Sequence, residues 1–328
     1  MMKRKAYPCE DYEELFDMPQ AEERQVDNRG VCGYRMKTIT SGNIRECEIY
    51  PVFTQRVDFT RGKKTRESRD KQRRLNRRNA QKRLIRLLNA NFTEGDVWAT
   101  FTYGADKLPT DEKAAHKFFR NYLRRLAYRM RREGWGELKY IFVTEYLDDG
   151  KKIRVHHHCV MNFPDRDLAE KMWTGGARTH TRRLQPDEAG LEGLGRYITK
   201  GKEFLVKHAR MWSASRNLKQ PKVTVSDTAV SRRRAQRMGM DYAEAEAFFQ
   251  RCNPAYRMTF QEVKFSDDVA GVYLYARLIR REGQGSGSNQ RAGKEKIIKQ
   301  IFCGIKTKRE TRLSFCLLYT SPSPRDTR

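Results

Sequence analysis

Apolar and polar residues alternate along residues 34–40 and again along 44–53, with Ser41-Gly42-Asn43 between the two runs. Alternation with a period of two around a Gly-Asn turn predicts a β-hairpin. From residue 92 onward the pattern becomes dense. Residues 97–103 (VWATFTY) are predicted to form a buried strand. Residues 111–132 carry Ala115, Phe118, Phe119, Tyr122, Leu123 and Leu126 at intervals of three and four, which predicts a helix, with Thr110 as its N-cap. Gly134 and Gly136 stop it.

Two further strands are expected at 138–147 and 153–163, joined by Asp148-Asp149-Gly150 and therefore antiparallel. A short helix at 165–173, a strand at 175–184 and a helix over 186–200 follow, although glycines at 190, 193 and 195 weaken the start of that last helix. The order strand, helix, strand, strand, helix, strand predicts an α+β fold. Its core is a split β-α-β unit of the ferredoxin or RRM type, an antiparallel sheet with helices on one face. Beyond residue 200 the pattern is thinner. It predicts a helix at 243–252 and a second hairpin from 258–264 and 272–280.

Composition changes the picture at one point. The 328 residues hold 68 Lys+Arg against 41 Asp+Glu, a formal charge of +27. Such an excess calls for a polyanionic partner, and nucleic acid is the commonest one. The charge is concentrated in residues 61–86, which include Arg73, Arg74, Arg77, Arg78 and Lys82 and end in Leu84, Ile85, Leu87 and Leu88. That stretch is expected to be a phosphate-gripping arm whose end docks on the core as a helix. Arg120, Arg124 and Arg196 add to the expected DNA-binding set. No apolar run is long enough to cross a membrane, so no membrane partner is expected. Seven scattered cysteines with no CxxC pair fit a reducing cytosol.

The candidate chemistry begins with three consecutive histidines, His156, His157 and His158. On a strand, His156 and His158 face one way and His157 the other. Two imidazoles at i and i+2 can share one metal ion. The neighbouring strand brings Glu145 beside them, three residues before the predicted turn. Two imidazoles and a carboxylate suit Mn²⁺ or Mg²⁺ engaging phosphate oxygens, and zinc is compatible by ligand type. Farther along, Tyr197 and Lys200 stand at i and i+3 on the predicted helix and share a face. A tyrosine hydroxyl can attack a phosphodiester and hold the product covalently. An isolated tyrosine–lysine pair at this spacing is more often a packing aromatic beside a surface lysine.

Taken together, these motifs resemble those of HUH-type rolling-circle replication initiators, and most closely the replication-associated proteins of phages and bacterial mobile elements with a single catalytic tyrosine. Phe101-Thr102-Tyr103 corresponds to the first-strand motif, His156 and His158 to the metal pair with Glu145 as third ligand, and Tyr197 and Lys200 to the nucleophile and its companion. The likeness covers about residues 75–220. It departs at His157, where such proteins usually have a bulky apolar residue.

The resemblance implies an endonuclease that nicks single-stranded or extruded origin DNA by metal-assisted tyrosine attack. A 5′-phosphotyrosine forms and strands are later rejoined, with a host helicase and polymerase as partners in the cytoplasm of a bacterial cell. Gly201 stands where a second tyrosine would follow one turn on, and Glu192 or Glu203 could activate a water instead. An HUH transposase with the same chemistry and a non-catalytic single-strand-binding protein remain open. The expected organisation is an N-terminal extension with the hairpin (1–60), the basic arm (61–90), the HUH domain (91–210), a C-terminal extension (211–282), and a linker and tail (283–328). Residues 316–328 of that tail read as non-native sequence.

Overall fold

A computed structural model describes residues 4–6, 30–54, 70–148, 151–176, 179–200, 211–265 and 270–281. All of these belong to one compact unit, residues 1–284, and a second unit, 285–328, lies outside the described residues. Outside them too fall the first part of the expected basic arm, the Asp149-Gly150 turn, Glu203 and the predicted linker and tail.

The fold is α+β, built on two antiparallel sheets. The first contains β4 (Val97–Thr102), β5 (Tyr140–Asp148), β6 (Lys151–Met161), β7 (Thr179–Arg183) and the two-residue β8 (Ser213–Ala214), in the order β7-β4-β6-β5-β8. Leaving out β8, this is the 4-1-3-2 order of a split β-α-β unit. Its connecting helices, α2 (Glu112–Arg132) and α3 (Arg166–Lys171), both lie on one face. There Phe119, Tyr122 and Leu126 of α2 pack on Phe101, Phe142 and Cys159. Each large apolar side chain buried in this way contributes roughly 1.5–3 kcal/mol.

Helix α2 starts one residue later than the pattern suggests. Asp111, not Thr110, is its N-cap, and its carboxylate accepts from the Ala114 amide at 2.7 Å. A carboxylate caps as well as a hydroxyl does and also complements the helix dipole. The helix ends in a Schellman arrangement around Gly134, whose φ is +69°. Trp135 N–H donates to Met130 O and Gly134 N–H to Arg131 O.

The opposite face of this sheet is covered by α1 (Asp70–Asn91) and α4 (Glu192–Ile198). Leu84, Leu87 and Leu88 of α1 and Ile198 of α4 pack there against Trp98, Ile141, Val143 and Val160. The expected docking of the basic helix through its leucines is therefore seen. Helix α4 begins six residues after Pro186. Asp187 and Gly190 form a small bridge before it, with Gly190 at φ +72°.

The second sheet runs β10-β11-β3-β2-β9, with β1 (Arg4–Ala6) also paired to β3. It joins β2 (Val31–Ser41) and β3 (Ile44–Thr54) to β9 (Lys222–Ser226), β10 (Tyr256–Phe265) and β11 (Val272–Arg280). Read from sequence, the hairpin and the C-terminal segment flank the central domain separately; here β3 pairs directly with β11 and β2 with β9. One face packs on α5 (Arg232–Met240) and α6 (Tyr242–Cys252) through Met238, Phe248 and Phe249. The other face turns Glu46 and Glu48 toward α1. Arg86 of α1 meets Glu46 at 2.7 Å and the buried Glu48 at 3.1 Å. Asn89 O lies so close to Gly42, whose φ is +61°, that a Cβ there would sit 2.1 Å from it. Among the described residues no helix is long and apolar enough to cross a membrane.

Arg86 neutralises two carboxylates that are largely withdrawn from water, so its loss strands their charge. Arg86→Met is expected to lower stability to urea by about 3 kcal/mol, whereas replacing the exposed Arg83 should change it by less than about 0.5 kcal/mol.

Candidate active site

The geometry of the site follows from strand pairing. Register places Glu145 of β5 directly opposite His156 of β6, and Thr100 of β4 opposite His158. Because side chains alternate, Trp98, Thr100, Glu145, His156 and His158 share the face that carries α1 and α4. His157 points into the α2 layer.

Glu145, His156 and His158 offer ligand atoms that all lie within 4.8 Å of one another. Glu145 Oε2 is 2.9 Å from His156 Nε2, and Oε1 is 3.7 Å from His158 Nε2. The Nδ1 of His158 is 3.0 Å from Thr100 Oγ1. A tautomer protonated at Nδ1 donates to that hydroxyl and leaves the Nε2 lone pair facing Glu145. The donor set therefore fits a divalent ion: two imidazole nitrogens and a carboxylate converge, with one imidazole oriented by a hydroxyl behind it. The set by itself is compatible with manganese, magnesium or zinc.

Tyr197 reaches the same place from α4. Its ring centroid lies 5.6 Å from that of His158 and 5.9 Å from that of Trp98, edge-on to both. Trp98 stacks on His158 at 6.1 Å, which closes a triangle of three rings. The Trp98 indole N–H is buried and has no hydrogen-bond partner among the described residues. Tyr197 is 48% exposed, so a ligand can reach it. Partial burial, and after it the negative charge of Glu145, push its phenol above the ordinary value.

Helix α4 can sit this close because of Gly195. A Cβ there would come within 2.5 Å of Ile85 Cγ1 on α1. The first turn of α4 is tied to the second sheet by Glu192, which pairs with Arg277 of β11 and with Arg196 one turn along. The Leu191 amide just before it donates to Asn89 Oδ1 of α1 at 2.7 Å.

The other expected residues fall in three places. Lys200 is exposed just beyond the end of α4, its amide donating to Tyr197 O. Arg196 is exposed on α4, engaged with Glu192. Glu192, expected as an activator of water, is held between these two arginines. Arg74, Arg77, Arg78 and Lys82 are on α1, on the same side of the sheet as Tyr197, while the Arg73 side chain lies outside the described residues. Arg120 and Arg124 are exposed on α2, across the sheet from the histidine pair.

His157 has a different environment. It is fully buried and stacked on Phe119 at 4.2 Å. Tyr103 Oη lies 2.8 Å from its Nε2 and Thr144 Oγ1 2.9 Å from its Nδ1. Both ring nitrogens are thus satisfied inside the α2 layer, which is how an imidazole stands where an apolar residue would otherwise pack. Sequence reasoning missed Trp98 and Thr100 as site residues. The alternation in WATFTY, applied as it was to the histidines, would have placed both on the site face.

Residues 96–202 match a family model for replication-associated proteins of the ORF2 type. That match supports a replication-initiator family. The matched segment holds Thr100, Glu145, His156, His158, Tyr197 and Lys200. No curated protein and no solved structure matches the chain.

The two histidine environments predict opposite mutational effects. His157→Ala should lower stability by about 3 kcal/mol, through the cavity it leaves and the unpaired Tyr103 and Thr144 hydroxyls. His156→Ala, at the solvent-facing edge of the site, should change it by less than about 1 kcal/mol. Urea denaturation of the two variants checks both.

Proposed function

We propose that the protein is a replication-initiator endonuclease that nicks single-stranded origin DNA by attack of Tyr197. The observation that carries this reading is the approach of the Tyr197 ring to His158, on the same sheet face as Glu145 and His156. A purely DNA-binding role gives no reason for a half-exposed phenol to stand beside a convergent His-His-Glu set. The match of residues 96–202 to a replication-associated family supports the same assignment.

In this reading Glu145, His156 and His158 hold Mn²⁺ or Mg²⁺. Such an ion would polarise a phosphoryl oxygen and offset the charge that builds on it. The chain's own groups do the rest. Thr100 and Trp98 fix the plane of the His158 ring. Gly195 and the Glu192–Arg277 pair hold α4 so that the Tyr197 hydroxyl faces the site. The phenol gives up its proton and its oxygen forms a bond to phosphorus. The bond from phosphorus to the 3′ oxygen breaks, and that oxygen takes up a proton to leave as a 3′-hydroxyl. The 5′-phosphate stays on Tyr197. Attack of a 3′-hydroxyl on that ester reverses the steps and rejoins a strand. Lys200 and the cations of α1 offer positive charge along the path of the incoming strand.

The test is incubation with single-stranded oligonucleotides carrying the element's origin, with Mn²⁺ or Mg²⁺, followed by a denaturing gel. A covalent protein–DNA band is expected. It should disappear with Tyr197→Phe and with chelator, while the variant still shifts the oligonucleotide in a native gel. An adduct that persists in Tyr197→Phe overturns the assignment of the nucleophile. Metal-independent binding with no adduct from the unaltered protein overturns the enzymatic reading altogether.

A further inference from the structure

The outer face of α2 has no part in the chemistry above. The helix buries its stripe from Phe119 to Met130 against the sheet, so Lys113, Lys117, Arg120, Arg124, Tyr128 and Arg131 face solvent. These six recur at intervals of three and four and form one line about 27 Å long, at 1.5 Å rise per residue. The ion pairs within α2, His116–Glu112 and Arg129–Glu133, lie off this line. Among the described residues none of the five cations on it has a carboxylate partner. Tyr128, between Arg124 and Arg131, is 62% exposed.

A second chain segment completes the face. Ser215, just after the edge strand β8, bonds both backbone groups of Tyr140: its amide donates to Tyr140 O at 2.9 Å, and its hydroxyl accepts from Tyr140 N–H at 3.1 Å. This brings Arg216 to the edge of the sheet. Arg120, Arg124 and Arg216 all act on the half-buried Tyr140 phenol, opposing the upward push of burial. Cations from two distant parts of the sequence thus converge around one tyrosine, and a second tyrosine stands exposed farther along the same line.

We propose that this face is a second binding track for single-stranded nucleic acid, separated from the Tyr197 centre by the thickness of the sheet. It rests on the replication-initiator reading, because it gives a strand entering or leaving that centre a second place to lie. Regularly spaced cations follow a phosphate backbone. The exposed Tyr128 among them favours a single strand over a duplex, because only unpaired bases present a face on which an aromatic ring can stack.

Fluorescence anisotropy on the full chain tests this, with Tyr197→Phe as background so that nothing is cleaved. The probes are an oligo-dT of about 40 nucleotides, long enough to occupy more than one track, and a duplex of equal length. Three changes are compared: Lys117→Glu with Arg216→Glu on the track, Lys222→Glu with Arg251→Glu on the exposed surface around the other sheet, and Tyr128→Ala. The first should weaken single-strand binding about tenfold and reduce the slope of log affinity against log salt by about 1. The second carries the same charge change and should alter affinity by less than about twofold. Tyr128→Ala should weaken the single strand severalfold and leave the duplex unchanged. Equal weakening by the two charge reversals, or a Tyr128→Ala loss of equal size on the duplex, overturns the proposal. A failure of the Tyr197 chemistry would show as a missing adduct on the gel and would leave these binding curves as they are.

Discussion

The register of the β5–β6 hairpin is the constraint on which the candidate site depends. It sets Glu145 opposite His156 and so gathers a carboxylate and two imidazoles on one face. A shift of one residue would turn His156 and His158 into the layer packed by α2 and bring His157 out in their place. His157 helps to prevent this. Its bonds to Tyr103 and Thr144 and its stacking on Phe119 form only when it points inward. The three histidines therefore divide their work by parity: the outer two face the site and the middle one locks the strand that carries them.

The second condition is that Tyr197 meets that face, and here α1 does most of the positioning. It is sandwiched between the two sheets, leucines toward one and Arg86 toward the other. Helix α4 rests on it through Gly195 and is tied at its first turn to β11. The second sheet thereby gains a role in the site although none of its strands contributes a chemical group. It holds the scaffold against which the nucleophile helix is placed.

Much of this was legible in the sequence, for identifiable reasons. Alternation in VWATFTY and in the histidine strand, and the three-and-four spacing of α2, are local signals, and they point to the split β-α-β core and the parity of the histidines. The placement of Glu145 beside them followed from a short hairpin. What stayed hidden is long-range. Nothing in residues 34–53 announces that they pair with residues 222–226 and 272–280, because backbone pairing leaves no mark on side-chain pattern beyond the alternation itself. The placement of Arg120 and Arg124 away from the histidines could not be read from charge alone; it follows from which face of the sheet α2 covers. Helix α5 has a usable start signal in Ser231, which caps it, but its short buried stripe of Ala235, Met238 and Gly239 is too weakly apolar to stand out.

The most direct measurement is pulsed electron paramagnetic resonance of the Mn²⁺-loaded protein, which counts coordinated imidazole nitrogens. Two are predicted in the unaltered protein, two in His157→Gln, and one in His156→Gln. No imidazole coupling, or a coupling lost on His157→Gln and retained on His156→Gln, would contradict the face assignment from which the whole account is built.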